Sequence, residues 1–522
     1  MFEEKIKTIE QLAEIVKKEK NAGRKVALCH GCFDLVHVGH IKHFNAAKRF
    51  ANVLIVTITP DRFVTKGPGR PVFNETLRLE TLSNIGGIDY VGLNDAPDAV
   101  SLIERIKPNF YVKGDEYKDF KGHPTGMRVK EKEMVEKFGG ELVFTSEPTF
   151  SSTSLINNNF DFLPPDIEKF LRQIRGEYTE KEIDEFVEKM NSLKVLVIGD
   201  PIIDEYTYCR TVGTVTKSPT ISAVYKNTLK MAGASLVVAR HIAEFAKSVE
   251  YIGVVGGKDN EKLFIEEELG KMHIKTHLVT APDRFTTLKR RFISGNYPTA
   301  LEFKTAPPDE KMYKLFEVAF MGDSLIDENT EKEICSIFEK REKENDLVVL
   351  ADFGHGMITP KIRETIAKKS KWWAVNAQTN STNYGFNLIT RYKKPNFVCL
   401  DELEARLPFS DRYNKNREEI ITNISKALEC DEVMMSMGRE GLLLKTDKFY
   451  YAPALITKTV DTVGAGDAVL SVASLCSYLQ FPPLIRVLFS AVSGALATQT
   501  ICNTEPIRKR KFVKFIKGTL NK

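Results

Sequence analysis

The stretch Cys29-His30-Gly31-Cys32-Phe33-Asp34-Leu35-Val36-His37-Val38-Gly39-His40 decides how the first part of the chain is read. It follows the apolar run Val26–Cys29 and opens a helical pattern, a place where backbone N–H groups and the helix dipole favour a bound phosphate. Gly31 and Gly39 allow close backbone approach, and His37 and His40, three residues apart at the helix start, can both face that anion. Cys29 and Cys32 spell C-x-x-C, but no second pair follows and the first cysteine lies in the strand, so redox and zinc readings are set aside. His37 and His40 lack the H-E-x-x-H context and a third ligand at a standard spacing. Two histidines framing a glycine just after a strand also fit a hydrogen-bonded core pair poorly.

Working outward, apolar runs at Val53–Ile58, Tyr90–Leu93, Phe110–Val112 and Leu142–Phe144 alternate with helical patterns such as Glu75–Leu82 and Val100–Ile106. That alternation predicts a parallel sheet with crossover helices. Between Asn157 and Ser192 the strands stop, and Pro164-Pro165 leads into two charged, helix-periodic stretches, Asp166–Ile174 and Glu180–Met190. A second alternation starts at Lys194 and runs through Tyr251–Val255, Asp346–Leu350, Trp372–Asn376, Phe397–Leu400, Val433–Ser436 and Leu442–Lys445. The expected organisation is a first domain over 1–157, a helical linker over 158–192 and a large α/β domain over 193–522.

The 522 residues exceed one domain of ~100–200 residues. With 42% hydrophobic and 28% charged residues the composition is that of a globular chain and excludes global disorder. No apolar run approaches the ~20 residues of a bilayer span, and the start MFEEKIKTIE does not read as a signal peptide, so a cytoplasmic protein is expected. Eight scattered cysteines suit reduced thiols. A net charge of +5 argues for neither nucleic acid nor membrane. The one dense basic run, Arg508 to Lys511 with Lys514 and Lys517, is interleaved with Phe512, Phe515 and Ile516 and reads as a last helix with a solvated face.

GCFDLVHVGH resembles the G-x-F-D-x-x-H-x-G-H signature of the nucleotidyltransferase superfamily, which includes cytidylyltransferases and the adenylyltransferase half of the bacterial heptose enzymes. Lys66-Gly-Pro-Gly-Arg-Pro-Val72 looks like the family's mobile basic loop, Arg78 like its helix arginine, and Val112-Lys-Gly-Asp-Glu-Tyr117 like the heptose branch's K-G-x-D-Y. Ser151-Ser152-Thr153 resembles the phosphate-holding S-T-T, without the arginine of the cytidylyltransferase form, which favours ATP over CTP. The resemblance implies attack of a sugar-phosphate oxygen on the α-phosphate of a nucleoside triphosphate, with Mg²⁺ and release of pyrophosphate. His37, His40 and Lys66 would be catalytic; Gly31, Phe33, Asp34, Gly39, Arg78, Lys113, Asp115, Ser151, Ser152 and Thr153 would bind nucleotide and phosphate. Class I aminoacyl-tRNA synthetases share the H-x-G-H logic. Their K-M-S-K-S signature has only a superficial echo in Lys189-Met-Asn-Ser-Leu-Lys194.

Asp461-Thr-Val-Gly-Ala-Gly-Asp467 precedes the apolar helical stretch Ala468–Leu479. Small residues there expose N–H groups to an anion beside a carboxylate, the pairing that phosphoryl transfer to a hydroxyl needs. A plain Asp cap after a glycine turn is the simpler alternative. All seven residues resemble the D-T-x-G-A-G-D signature of ribokinase-like sugar kinases. The resemblance implies Asp467 as base and Gly464, Ala465 and Gly466 as the anion hole, with Gly438 and Gly441 on the adenine side. Asp200, Asp204, Gly233, Ala234, Lys289, Arg291 and Asp352 would meet the sugar and its phosphate, and Glu402, in Cys399-Leu-Asp-Glu-Leu-Glu404, would meet magnesium. Where the heptose kinases carry D-P-K, this chain has Asn376-Ala377-Gln378.

The expected fold is therefore two doubly wound α/β domains, a Rossmann-like nucleotidyltransferase and a larger ribokinase-like kinase. Together they resemble the bifunctional heptose kinase/adenylyltransferases with the order reversed. The implied ligands are ATP (or CTP), Mg²⁺ and sugar phosphates, and pairing through a small β lid makes a homodimer the expected assembly. Two rivals are a CTP-dependent enzyme making a CDP-sugar or CDP-polyol, and a second domain that binds sugar without turnover.

Overall fold

The computed structural model describes every residue except 1–2, 65–66, 68, 97, 116–126, 146–162, 295–312, 323, 456–458, 460, 501–502 and 521–522. The chain divides into two compact units, Met1–Leu163 with Lys514–Lys522, and Pro164–Val513.

The first unit is built on five parallel strands, β1 (Val26–Gly31), β2 (Val53–Ile58), β3 (Tyr90–Leu93), β4 (Phe110–Gly114) and β5 (Glu141–Thr145), in the order β3-β2-β1-β4-β5. β2 reads Val-Leu-Ile-Val-Thr-Ile and is buried along its whole length, as a parallel strand covered on both faces must be. One apolar cluster packs Leu28, Ile55 and Tyr111 with Leu12, Val16 and Leu102; the other packs Ala27, Cys29 and Val56 with Phe44, Ala47 and Leu82. The chain leaves β1 for β2 on one side while β4 pairs on the other. The carboxyl end of β1 is thus the crevice where such sheets bind ligands.

The second unit holds a nine-stranded sheet in the order β10-β9-β6-β13-β14-β15-β16-β17-β18 and a four-stranded sheet in the order β12-β11-β7-β8. The large sheet comprises β6 (Lys194–Gly199), β9 (Ser248–Gly256), β10 (Lys275–Ala281), β13 (Leu347–Asp352), β14 (Trp373–Ala377), β15 (Phe397–Asp401), β16 (Glu432–Ser436), β17 (Leu442–Lys445) and β18 (Phe449–Ala452). All pairs are parallel up to β16, and the last two strands turn back antiparallel. The small sheet comprises β7 (Pro201–Thr214), β8 (Ile221–Ala234), β11 (Thr287–Ser294) and β12 (Tyr313–Phe320).

The segment expected as a linker folds as two helices, Pro165–Glu177 and Glu180–Met190, and belongs to the second unit. Thr179 and Glu182 form a capping box, and Ile167, Phe170, Leu171 and Ile174 with Ile183, Val187 and Met190 are buried. Phe186 packs on Phe481 at 4.9 Å between ring centroids. The final helix, Lys509–Leu520, buries Phe512, Phe515 and Ile516, while Lys509 and Lys511 reach Glu188 and Glu505. Among the described residues no helix is long and apolar enough to cross a membrane.

Candidate active sites

At the carboxyl end of β1 the backbone turns sharply. Phe33 adopts a positive φ of 48°, and its ring lies where a Cβ on Gly31 would come within 3.0 Å. The ring meets His40 edge-on at 5.2 Å and Phe44 at the same distance, fixing the first turns of the helix Val38–Phe50. His37 caps that helix. Its Nδ1 accepts the Gly39 N–H at 3.1 Å, the Nδ1 of His40 accepts the His37 N–H at 3.4 Å, and the two rings stack at 4.0 Å. With Nδ1 accepting on both rings, the neutral imidazoles carry their protons on Nε2, where they can be donated. His43 continues the same three-residue spacing: its Nδ1 meets Thr145 Oγ1 at 2.7 Å, and burial, then the charge of Lys113, pushes its pKa down to about 4. Lys113, near the end of β4, donates to the His30 carbonyl at 3.2 Å, and Asp115 follows just beyond the strand.

In the second unit a cleft of about 280 Å³ opens at the carboxyl ends of β14, β15 and β16. The first turn of the helix Ala465–Tyr478 closes one side, and the small sheet contributes Ile202, Asp204, Lys289 and Arg291. Gly464 sits at φ 83°, and a Cβ there would strike the Asn503 amide at about 2.0 Å, so the turn before the helix admits only glycine. Asp467 is 6% exposed; burial pushes its pKa up to about 7, against a hydrogen bond from Gln378 Nε2 to its Oδ1 at 2.7 Å. Asp204 is paired with Arg291, which also meets Glu317 at 2.8 Å. A Cβ on Gly233 would meet Asp204 Oδ2 at 2.3 Å, so this glycine makes room for the carboxylate. Ala234 lines the cleft at φ 54° and starts the helix Ser235–Ala243. Lys289 also lines it, with burial lowering its pKa.

Residues 28–159 match the cytidylyltransferase-like family, and residues 384–499 match the pfkB family carbohydrate kinases. The chain joins a cytidylyltransferase-like domain to a pfkB-type kinase domain. Among curated proteins it is 37% identical over 154 residues to a bifunctional protein HldE of Geotalea uraniireducens, a match covering 29% of this chain and 30% of that protein. It is 38% identical over 156 residues to the HldE of Geobacter metallireducens, again 29% of this chain and 30% of that protein. The matched stretch thus spans less than a third of the length of these relatives. Among solved structures, Escherichia coli phosphofructokinase-2 in complex with substrates and products is 15% identical, covering 62% of this chain and 98% of that one with a TM-score of 0.48. Arabidopsis thaliana ribokinase complexed with ribose and ATP is likewise 15% identical, covering 62% of this chain and 99% of that one with a TM-score of 0.45.

In the cytidylyltransferase-like domain, Gly31, Phe33, His37, Gly39 and His40 stand together on one turn. Two expected phosphate contacts do not. Arg78 is buried, with Nε on the Phe73 carbonyl, Nη1 on the Cys32 carbonyl and Nη2 on both the Thr59 carbonyl and Asp61. Asp34 accepts from Arg70 Nε at 2.7 Å and from the N–H groups of Val72 and Phe73. Both side chains therefore staple the segment 70–78 to the loop after β1. Lys66, Ser151, Ser152 and Thr153 lie outside the described residues.

In the kinase domain, Asp204, Ala234, Lys289, Arg291, Gly464, Gly466 and Asp467 all line the cleft. Asp200 and Asp352 do not. Asp200 accepts the N–H groups of Phe353 and Met357, and Asp352 accepts from Gly354 N–H and Tyr392 Oη, so these carboxylates brace the strand tips. Burial, then the neighbouring Asp352, raises Asp200 to about 7. Glu402, expected at magnesium, is ion-paired with Arg406 and Arg417; Glu404 lines the cleft instead. The capping box at Asp401 is the reason: its N–H binds Glu404 Oε2 at 3.0 Å and its carboxylate takes the Glu404 N–H at 2.8 Å, which folds Glu404 back and sends Glu402 outward. Burial, then Asp401, pushes Glu404 up to about 8. Ala465 donates its N–H to the Thr462 carbonyl at 3.3 Å. Gly438 and Gly441 shape the turn between β16 and β17. Gln378, Glu404 and Asn503 are cleft residues outside the set inferred from the sequence. For Glu404 the signal was present in the same motif, two residues from the one chosen.

Proposed function

We propose that the protein is a bifunctional enzyme of nucleotide-sugar precursor synthesis, with a nucleotidyltransferase in residues 1–157 and a sugar kinase in 193–522. The kinase domain phosphorylates a sugar or sugar phosphate from ATP. The first domain joins a nucleotidyl group, with ATP favoured over CTP, to a sugar 1-phosphate and releases pyrophosphate, for lipopolysaccharide or another surface glycan. The observation that carries the kinase reading is Asp467. It is a buried carboxylate with a proton affinity near neutrality, at a helix start inside a cleft whose opposite wall holds Asp204 and Lys289. Asp467 would take the proton of the acceptor hydroxyl while Gly464 and Gly466 let the transferring phosphate approach the helix N-terminus. Asp204 would fix sugar hydroxyls, and Lys289 would meet the sugar's own phosphate. Mg²⁺ suits the donor set, since it needs few protein carboxylates beside phosphate oxygens; Glu404, with Asp401 nearby, would hold it, and the ion would neutralise phosphate charge. In the first domain the Nε2–H groups of His37 and His40 would donate to phosphate oxygens as charge builds.

In this reading the enzyme works in the cytoplasm as a homodimer. Supporting the pairing are apolar side chains exposed on strands of the small sheet, among them Val212, Ile221, Val224, Tyr225 and Phe316. The test is mass spectrometry of products after incubation with Mg²⁺, a panel of sugars and sugar 1-phosphates, and each of ATP, CTP, GTP and UTP. An ADP-sugar supports the reading as stated, and a CDP-linked product would replace ATP by CTP in the first domain. Asp467→Asn should abolish sugar-dependent ATP consumption, and absence of such consumption in the unmodified protein would reduce the second domain to a sugar binder.

A further inference from the structure

The structure reverses the roles of two arginines in the first unit. Arg78 spends four of its five N–H donors inside the protein, its Nε and both amino groups ending on three carbonyls and Asp61. Arg70 is in the opposite condition. Its side chain is 1% exposed, its Nε is bound side-on to Asp34 at 2.7 Å, and both Nη1 and Nη2 are buried with no hydrogen-bond partner among the described residues. A buried guanidinium with its two amino groups unmet among the described residues carries a desolvation penalty that the single contact with Asp34 offsets only in part. The single Nε–H makes the contact with Asp34, whose other oxygen is taken by backbone N–H groups, and the two amino groups are left over. Asp34 in turn is anchored by the Val72 and Phe73 N–H groups and belongs to the loop that carries His37 and His40 into the helix Val38–Phe50. The guanidinium is therefore held in place before any ligand arrives, beside the loop that caps the helix.

We propose that Arg70 is the arginine that grips the phosphates of the nucleoside triphosphate in the first domain, its two amino groups forming a bidentate contact to the pyrophosphate portion. The inference rests on the nucleotidyl-transfer reading above. In that reaction a sugar-phosphate oxygen bonds to the α-phosphorus, the bond from that phosphorus to the bridging oxygen breaks, and its electron pair leaves on pyrophosphate. Negative charge grows on the leaving group as it departs. A planar fork of two N–H donors matches two of its oxygens, which the point charge of a lysine does not.

The test uses the full chain with inorganic pyrophosphate as the probe in titration calorimetry, and pyrophosphate release with nucleoside triphosphate and sugar 1-phosphate. The binding lost in His37→Ala defines the signal of the first site. Arg70→Lys keeps a cation against Asp34 but removes the fork, and should weaken that signal by roughly tenfold or more. It should also raise KM for the nucleotide, with circular dichroism and thermal unfolding near those of the unmodified protein. If that variant does not fold, the double variant Asp34→Asn, Arg70→Gln removes both charges together, leaves no stranded carboxylate, and should show the same loss. Retention of His37-dependent pyrophosphate affinity in a folded Arg70 variant overturns the inference alone. If the unmodified protein shows neither His37-dependent binding nor pyrophosphate release, the nucleotidyl-transfer reading falls and this inference with it.

Discussion

Gln378 occupies the place where the heptose kinases carry a lysine, and its amide donates to the carboxylate proposed as the kinase base. A neutral donor on one oxygen of Asp467 lowers its proton affinity less than a cation would, and burial still raises the carboxyl to about 7. ATP-dependent sugar phosphorylation is therefore expected to rise with pH to a plateau above about 7. In Gln378→Lys the ammonium stabilises the carboxylate, and the rising limb should move down by about one pH unit or more. A pH–rate profile of both proteins checks it; identical limbs would mean that Asp467 is not the titrating base. The same carboxyl affects stability. It is protonated up to about pH 7 in the folded state and only to about pH 4 when unfolded, so folding takes up a proton between those values and Asp467 loses stability for the protein as pH rises through them. Asp467→Asn has no such loss. Its melting temperature relative to the unmodified protein should increase from pH 4.5 to pH 8, and a constant difference would contradict the raised affinity.

At the scale of elements, glycines and caps place the groups. The turn between β16 and β17 needs Gly441 at φ 99°, where a Cβ would sit about 2.0 Å from the Ala452 carbonyl oxygen. Gly441→Ala combines a backbone region closed to other residues with a clash against β18, and should cost about 2–4 kcal/mol in denaturant unfolding. A loss below a few tenths would show that the turn can reshape. The capping box at Asp401 matters in a different way: it selects which of two glutamates in one short helix faces the cleft. The strands themselves were legible. Apolar runs such as Val53–Ile58 and Phe397–Leu400 mark buried parallel strands because both faces are covered. The four-stranded sheet was less so, since β8 mixes charged, polar and small residues and is largely exposed over its first half. Its existence followed only from family resemblance.

At the scale of the molecule, the exposed side chains Ile221 and Tyr225, 55% and 62% accessible, lie on β8, one edge of the small sheet. Apolar surface on an edge strand invites pairing with another copy. Sedimentation velocity should show a dimer for the unmodified protein and a monomer for the double variant Ile221→Glu, Tyr225→Glu, with circular dichroism unchanged. A monomer in both cases removes the proposed pairing. His37 and His40 belong to the first domain and Asp467 to the second. His37→Ala is accordingly expected to abolish pyrophosphate release and Asp467→Asn to abolish sugar phosphorylation.

What the sequence by itself determined is what depends on neighbours along the chain. The α/β alternation, two doubly wound units, the helix starts near His37 and Asp467, and the glycine turns beside them all follow from local periodicity and small-residue spacing, while the structure starts the second helix at Ala465, ahead of Asp467. Which charged side chains face a ligand and which close on the protein depends on partners far away in sequence. Arg78 is stapled to Cys32, Asp200 to Phe353 and Met357, and Asp352 to Tyr392, each pair brought together only by the fold, near the carboxyl ends of interior strands. A buried charge must find donors or acceptors wherever the fold supplies them, and spacing along the chain does not carry that information. Tertiary structure alone therefore distinguished Arg70 from Arg78 and Glu404 from Glu402, because only the folded chain shows whose hydrogen bonds are already made.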